Sequence, residues 1–431
     1  MNRWLAGSGE IRANERRSVL TAGLLLFILL TGLMMLQPVR EALGLTRGIE
    51  NVRRLFLVTV ASTLLLAPLF GWLVGRVPRR ILLAVSFRLC AVILLGFFVG
   101  LTRPPEHIRS LVAAGYYVFH SVFNLLVISL FWAFMADHFS FAESKRLFPT
   151  IALGGSLGAI LGSLISWQLV HHLGVHSLFL LAALLLELSV WAAGRFVRTR
   201  TPSQASRSDL RPIGGPSLAG ITAVVRSSYL RGVGLFVVLL GLVSTFLYFS
   251  GLRVVAANSH SPVQQTALFA HINLWMQLAT LAAQAFLASR IMRVAGVGCA
   301  LAVLPVLAVS GFAVLAVAPT LAAFTVVNAL FRAAQQGIAG PAQETLFTVL
   351  DRQDKYKAKS FLDTFGVRAG DASGAFLDRV LAVLGPSPLP LNMAVLGLAA
   401  IWLTVCGFLA RAQIRIEKHS NGEHRAVEAP R

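Results

Sequence analysis

Apolar residues recur along this 431-residue chain in runs of about twenty, each long enough to cross roughly 30 Å of hydrocarbon as a helix. Twelve such spans are predicted, at 18–37, 55–75, 81–101, 109–134, 147–170, 176–194, 231–252, 266–288, 296–317, 319–340, 360–384 and 389–410. Hydrocarbon offers no water to open backbone groups, so each span is expected to be helical. Pro38 is expected to end the first helix, leaving Arg40 and Glu41 side by side at its mouth.

The punctuation between spans repeats. Arg76 and Arg79 form an Arg-x-x-Arg after the second span, and Arg290 and Arg293 form another after the eighth. Asp137 precedes Lys145 by eight residues, just as Asp351 precedes Lys359. The fifth span carries Gly155, Gly158 and Gly162 on one face, beside Gly154, and the eleventh carries Gly366, Gly370 and Gly374. These coincidences predict an all-α membrane protein of two pseudo-symmetric six-helix bundles related by duplication. The expected boundaries are 1–194 for the first half, 195–230 for a cytoplasmic linker, 231–410 for the second half and 411–431 for a disordered cytoplasmic tail.

Composition agrees with the pattern. Hydrophobic residues make up 56% of the chain, charged residues 13%, and mean hydropathy is +0.73, values that a wetted globular surface does not sustain. The formal charge of +20 would suggest nucleic acid on a soluble chain; here it follows the positive-inside rule. With the N-terminus in the cytoplasm, 27 of the 38 Lys and Arg fall on the cytoplasmic side and eight opposite, while Arg88, Arg332 and Arg368 lie within spans. The expectation is a multi-pass protein of the cell (inner) membrane with both termini cytoplasmic, an uncleaved first helix and the bilayer, not nucleic acid, as its surroundings. Cys90, Cys299 and Cys406 lie in apolar spans and read as small buried hydrophobes. No His or Cys spacing predicts a metal or cofactor, and no nucleophile, base and oxyanion donor assemble, so an enzyme is not expected.

Polar groups at membrane depth carry more information, because each is costly unless paired or wetted. Arg332 lies about 20 Å from the external mouth of the tenth span and shares a face with Asn328 and Gln335 or Gln336. Tyr116, His120 and Asn124 form a stripe on the fourth span; Asn273, Gln277, Thr280 and Gln284 form one on the eighth, beside Trp275; and Ser244 and Tyr248 stand on the seventh. No acidic partner for Arg332 is evident at its depth, so it is the candidate anion contact, with Asn328, Gln336, Arg40, Tyr116, His120, Asn124, Asn273, Gln277 and Tyr248 around the same solute. Arg368 and Asp371, three apart, predict an intrahelical pair. Arg88 can snorkel, and Glu187 reads as the partner of a basic group. Arg76, Arg79, Asp137, Lys145, Arg290, Arg293, Glu344, Asp351, Lys357, Lys359 and Asp363 read, with the Arg368–Asp371 pair, as a gating or structural charge network.

Two stretches resemble known families. GWLVGRVPRRILL, from Gly71 to Leu83, resembles the cytoplasmic loop motif of the major facilitator superfamily, with Gly75 in place of its acid and Pro78 in place of a glycine. GPAQETLFTVLD from Gly340 to Asp351, then KYKAKSFLD and GVRAGDASG, resembles the loop and eleventh helix of nucleotide transporters of the ATP/ADP translocase type. Pro341, Glu344, Asp351, Lys355, Lys357, Lys359, Asp363, Arg368 and Gly370 keep the order and spacing of that motif, and LQPVREALG is similar to its charged element after helix one, with Arg40 and Glu41 at the positions of a lysine and an aspartate. Departures fall on charges: Gln37 and Pro38 replace a basic and an acidic residue, Gln343 a lysine, and Asp371 stands where a basic residue is usual. The resemblance implies a monomeric secondary transporter of a small organic anion, working by alternating access between the halves, whose stripes on helices one, four, seven and ten face one cavity. A proton-coupled exporter of amphipathic compounds using Glu187 or His120, and a non-transporting binding scaffold, are the alternatives.

Overall fold

The computed structural model describes Arg12 and residues 15–102, 105–199, 219–347, 358–359, 361–383, 385 and 389–428. These are almost entirely helical, with no strand among them. The helices are α1 (Arg16–Leu45), α2 (Ile49–Arg76), α3 (Arg79–Thr102), α4 (Glu106–His138), α5 (Phe141–Thr199), α6 (Ala219–Arg226), α7 (Ser228–Ala257), α8 (Pro262–Phe286) and α9 (Ala288–Val317). There follow α10 (Leu321–Ala334), a π-helical turn Gln335–Ala339, α11 (Gly340–Leu346), a second π turn Leu362–Gly366, α12 (Val367–Val383) and α13 (Leu389–Glu428).

Eight helices among the described residues are long and apolar enough to cross a membrane. One of them, α5, carries both the fifth and the sixth predicted spans, because Gly174, at φ 75°, turns the chain inside it. The predicted spans 266–288, 319–340 and 360–384 are helical but less apolar. They hold the glutamines and asparagines of α8, Arg332 on α10, and Asp363, Arg368 and Asp371 on the eleventh span.

Three local expectations are corrected. Pro38 does not end α1, which runs on to Leu45. Pro38 has no N–H for the Met34 carbonyl four residues back, but a proline inside a membrane helix is tolerated where its surroundings and small local adjustments satisfy the disturbed backbone. The segment after 410, expected to be disordered, continues α13 through Glu428, a stretch whose Arg, Ala, Gln, Glu and Lys residues favour helix. Within the expected linker, α5 extends to Thr199 and α6 covers 219–226, while 200–218 lie outside the described residues.

The chain forms two compact units, 1–212 with 255–277, and 213–254 with 278–431. In the first, α1 is the central element, with Ala22, Leu25, Met35, Leu36 and Val39 fully buried. Its closest neighbour is α5. A Cβ placed on Gly154, Gly158 or Gly162 would run into the backbone carbonyls of Gly23, Phe27 and Thr31 respectively, so the two helices meet main chain to main chain. The face therefore comprises residues four apart, with Gly154 in it; Gly155 lies beside Leu26 and Leu30 side chains instead. α5 starts with a capping box, in which Ser140 N–H donates to Glu143 at 2.9 Å and Glu143 N–H to the Ser140 hydroxyl at 3.4 Å.

The second unit repeats the device. A Cβ on Gly370 would sit 2.5 Å from the Val238 carbonyl, and one on Gly374 2.9 Å from the Leu242 carbonyl, so α12 closes on α7 as α5 closes on α1. Trp402 of α13 is fully buried with its ring 5.6 Å from that of Phe236. Tyr229, at the start of α7, donates to the Leu346 carbonyl at 2.8 Å and fixes the end of α11.

The seam yields a stability prediction. Gly158→Leu must separate two main chains and is expected to destabilise the protein by about 1–3 kcal/mol or to abolish folding. Gly194→Ala, inside α5 at a position with open space around it, is expected to leave thermal unfolding in detergent unchanged or to raise it slightly.

Candidate functional site

In the second unit, α10 brings Arg332 to the point where the helix widens into the π turn Gln335–Ala339. Pro341 lies just beyond: it has no N–H for the Gly337 carbonyl four residues back, and its ring crowds that carbonyl, which favours local widening. The Arg332 guanidinium donates to the Gln335 side-chain oxygen at 2.9 Å. Asp371 of α12 lies within electrostatic reach of Arg332. The same carboxylate pairs with Arg368 at 3.2 Å and takes a hydrogen bond from the buried Thr245 of α7.

Arg332 is thus not remote from every acid, as the sequence suggested: one carboxylate serves two guanidiniums. The i, i+3 pair expected of Arg368 and Asp371 is present, but it belongs to the cluster containing Arg332. Two guanidiniums thus face one carboxylate among apolar helices, where charge is costly unless matched. Asn328 and Gln335 are partly buried along the same helix, Gln336 is exposed, and Tyr248 is partly buried against Phe249, with ring centroids 5.3 Å apart.

The polar residues of the first unit are occupied differently. The Tyr116 hydroxyl donates to the Leu36 carbonyl at 3.1 Å, and the His120 Nε2 lies 3.3 Å from the Leu33 carbonyl. Both side chains are buried, so the expected α4 stripe fastens α4 to α1 instead of lining a cavity, and only Asn124 of the three is partly open. Arg40 pairs with Glu41 at 2.7 Å, donates to the Tyr117 carbonyl at 3.3 Å and stands 4.0 Å over the Tyr117 ring. A Cβ at Gly44 would stand 2.6 Å from the Tyr117 Cδ2, so the glycine makes room for that ring. The Arg40 charge is therefore matched where it stands. On α8, Asn273 is buried and the Gln277 amide donates to the Met34 sulfur at 3.4 Å, while Trp275 donates to His271 at 3.0 Å.

Of the expected charge network, Arg79 binds Asp137 and also donates to the Ala133 carbonyl at 3.0 Å, joining the start of α3 to the end of α4. Arg76 is exposed at the end of α2. Lys359 pairs with Glu344 and stands 4.0 Å from Asp363, so the latch in the second unit joins α11 to the second π turn. Asp351 and Lys357 lie outside the described residues, as do the side chains of Lys145, Arg290 and Arg293. Glu187 has the basic partner expected of it, Arg88 at 3.4 Å. Cys90 and Cys406 are buried as expected, whereas Cys299 is exposed. Two ion pairs escaped the sequence reading because their partners are distant in the chain: Arg253 with Asp378, and Glu15 with Arg146 at 2.5 Å. A carboxylate at Asp378, deep in the eleventh predicted span, was the available signal for the first.

No family model matches the chain. Among curated proteins it is 21% identical over 343 residues to ADP,ATP carrier protein 1 of Chlamydia trachomatis, covering 69% of this chain and 64% of that one. It is 22% identical over 328 residues to the chloroplastic ADP,ATP carrier protein 2 of Arabidopsis thaliana, covering 67% and 52%. It therefore spans less than two thirds of the length of either carrier. Among solved structures, the nucleoside transporter NupG superposes with a TM-score of 0.59 at 12% identity, over 94% of this chain and all of that one. The human organic anion transporter MFSD10 (TETRAN) gives 0.59 at 18% identity, over 92% of this chain and all of that one. The fold is of the major facilitator type. The chain is a multi-pass membrane protein, and its similarity to the two carriers bears out the resemblance read from the sequence.

Two measurements probe these charges. A double-mutant cycle of Arg79→Gln and Asp137→Asn is expected to be non-additive by about 0.5–3 kcal/mol in unfolding free energy, as for residues in direct contact. Glu15 is held below its ordinary value of 4.5, chiefly by the Arg146 hydrogen bond, against the opposing effect of burial. Its stabilisation is complete above that ordinary value and is lost as pH falls through the lowered folded one. The thermal stability of wild type should exceed that of Glu15→Gln at pH 7, and the two should converge as the solution is acidified below about pH 4.

Proposed function

We propose that the protein is a secondary transporter that works by alternating access and moves an organic anion, of the nucleotide or other phosphorylated-metabolite class, held by Arg332 and Arg368. The charge excess of the Arg332–Asp371–Arg368 cluster carries this reading. A phosphate or carboxylate bound there receives charge-assisted hydrogen bonds from guanidinium groups, while Asp371 and Gln335 hold those groups in place between transport events. The names of the two carriers and of the organic anion transporter fit a solute of this kind.

In this scheme the chain sits in the inner membrane as a monomer with both termini cytoplasmic. The Arg79–Asp137 and Lys359–Glu344 pairs act as latches on the cytoplasmic side. The geometry favours an anion over proton-coupled export, since Glu187 is engaged by Arg88 and His120 is buried against a backbone carbonyl.

Proteoliposomes loaded in turn with adenine nucleotides and sugar phosphates supply the test. Arg332→Gln is expected to lower kcat/KM for the transported anion by roughly 10- to 100-fold, the scale of one hydrogen bond to a charged group, with thermal stability retained. Uptake of every transported anion at the wild-type rate in that variant would exclude the site.

A further inference from the structure

A second polar centre lies in the second unit, away from Arg332. A cavity of about 410 Å³, within the range of small-molecule sites, opens among α7, α9, α12 and the start of α13. Its walls are apolar, formed by Val254, Phe312, Leu315 and Leu381, and its polar end holds the Arg253–Asp378 ion pair with Asn392 nearby. The pair is exposed asymmetrically. The Asp378 side chain is 1% accessible and that of Arg253 is 36% accessible, so the cation is the group that a ligand meets. Asp378 neutralises the site as a whole and holds the guanidinium in position, leaving a fixed fork of donors beside hydrocarbon walls.

The position of the pair narrows the ligand further. Arg253 follows Tyr229 by 24 residues on α7, about 36 Å along the helix axis. Tyr229 is tied to the end of α11 that bears the Lys359–Glu344 pair, so the cavity lies at the opposite end of the unit. That separation slightly exceeds the roughly 30 Å of bilayer hydrocarbon, which puts Arg253 at the far interface. Phe312 and Leu315 precede the end of α9 at Val317 and line the inward part of the cavity.

We infer that this cavity binds an anionic amphiphile, its phosphate or carboxylate on Arg253 at the membrane interface and its hydrocarbon against Phe312, Leu315 and Leu381. A cationic amphiphile of equal chain length finds the same walls but meets a guanidinium in place of an acceptor, and Asp378 is covered. The site is separate from the Arg332 cluster and does not depend on the identity of the transported solute.

The test uses the full chain purified in a neutral maltoside detergent, with decyl phosphate as the probe and decyltrimethylammonium as the charge-reversed control. Decyl phosphate is expected to raise the Tm in a saturable manner, and the ammonium compound to leave it unchanged. Ala316→Trp, which fills the cavity without touching the ion pair, is expected to weaken the apparent affinity at least tenfold. Leu391→Trp fills it from α13 and serves if the first variant does not fold. Equal stabilisation by the two amphiphiles, or a decyl phosphate response unchanged in the folded cavity-filled variant, overturns the proposal. The source of the ligand is read in nanodiscs of phosphatidylcholine with and without phosphatidic acid. Retention of phosphatidic acid by wild type and its loss in the filled variant, seen by native mass spectrometry, supports a membrane lipid. A decyl phosphate response without lipid retention supports a free single-chain amphiphile.

Discussion

Main-chain contact between α1 and α5 is the constraint on which the first unit depends. Gly154, Gly158 and Gly162 bring the backbones so close that the carbonyls of Gly23, Phe27 and Thr31 occupy the space of their absent side chains. In hydrocarbon, where apolar side chains gain little by leaving lipid, close approach of this kind is a principal source of helix association. It settles where the α1 carbonyls stand, and hence where Tyr116 and His120 find their hydrogen bonds. The α7–α12 seam does the same for the second unit, and through Thr245 it delivers an α7 hydroxyl to Asp371.

Charge matching forms a second layer on this frame. Arg40 pairs with Glu41, Arg79 with Asp137, Arg88 with Glu187 and Arg253 with Asp378. In the cluster of Arg332, Arg368 and Asp371, two guanidiniums share one carboxylate. A buried ion pair contributes little net stability, because desolvation offsets the attraction, but an unmatched charge at depth is costly. In the transporter proposed above, that shared carboxylate leaves room for a solute of opposite charge.

How much of this is legible in the sequence depends on how local each signal is. Helix positions follow from runs of apolar residues, and the glycine seams follow from small residues three and four apart. The Arg368–Asp371 pair needs only the helical period, and a basic partner for Glu187 is suggested by the cost of a carboxylate within an apolar span. Partners remote in the chain are a different matter: nothing near Asp378 names Arg253, and nothing near Asp371 says that it also faces Arg332. Pro38 misleads because the rule for isolated helices ignores neighbours that can satisfy a disturbed backbone. Tyr116, His120 and Asn124 show that a polar stripe fits a carbonyl-rich helix neighbour as well as a wet cavity, and periodicity does not distinguish the two. The halves follow from repeats in the sequence, yet residues 255–277 belong with the first compact unit, where Trp167 and His271 stand 5.1 Å apart.

The π turn after Arg332 has a consequence for how the tenth span is indexed. Such a turn absorbs one extra residue without breaking the helix, so side chains beyond it are rotated by about 100° relative to an uninterrupted α-helix. The face that presents Asn328 and Arg332 and the face that presents Glu344 to Lys359 are therefore numbered from separate origins. Loss of a single residue from Gln335–Ala339 would leave the helix continuous and Arg332 in place, but would turn Glu344 away from Lys359. The five residues work as a phase shifter, through which the Arg332 end and the Glu344 end of one span hold different azimuths.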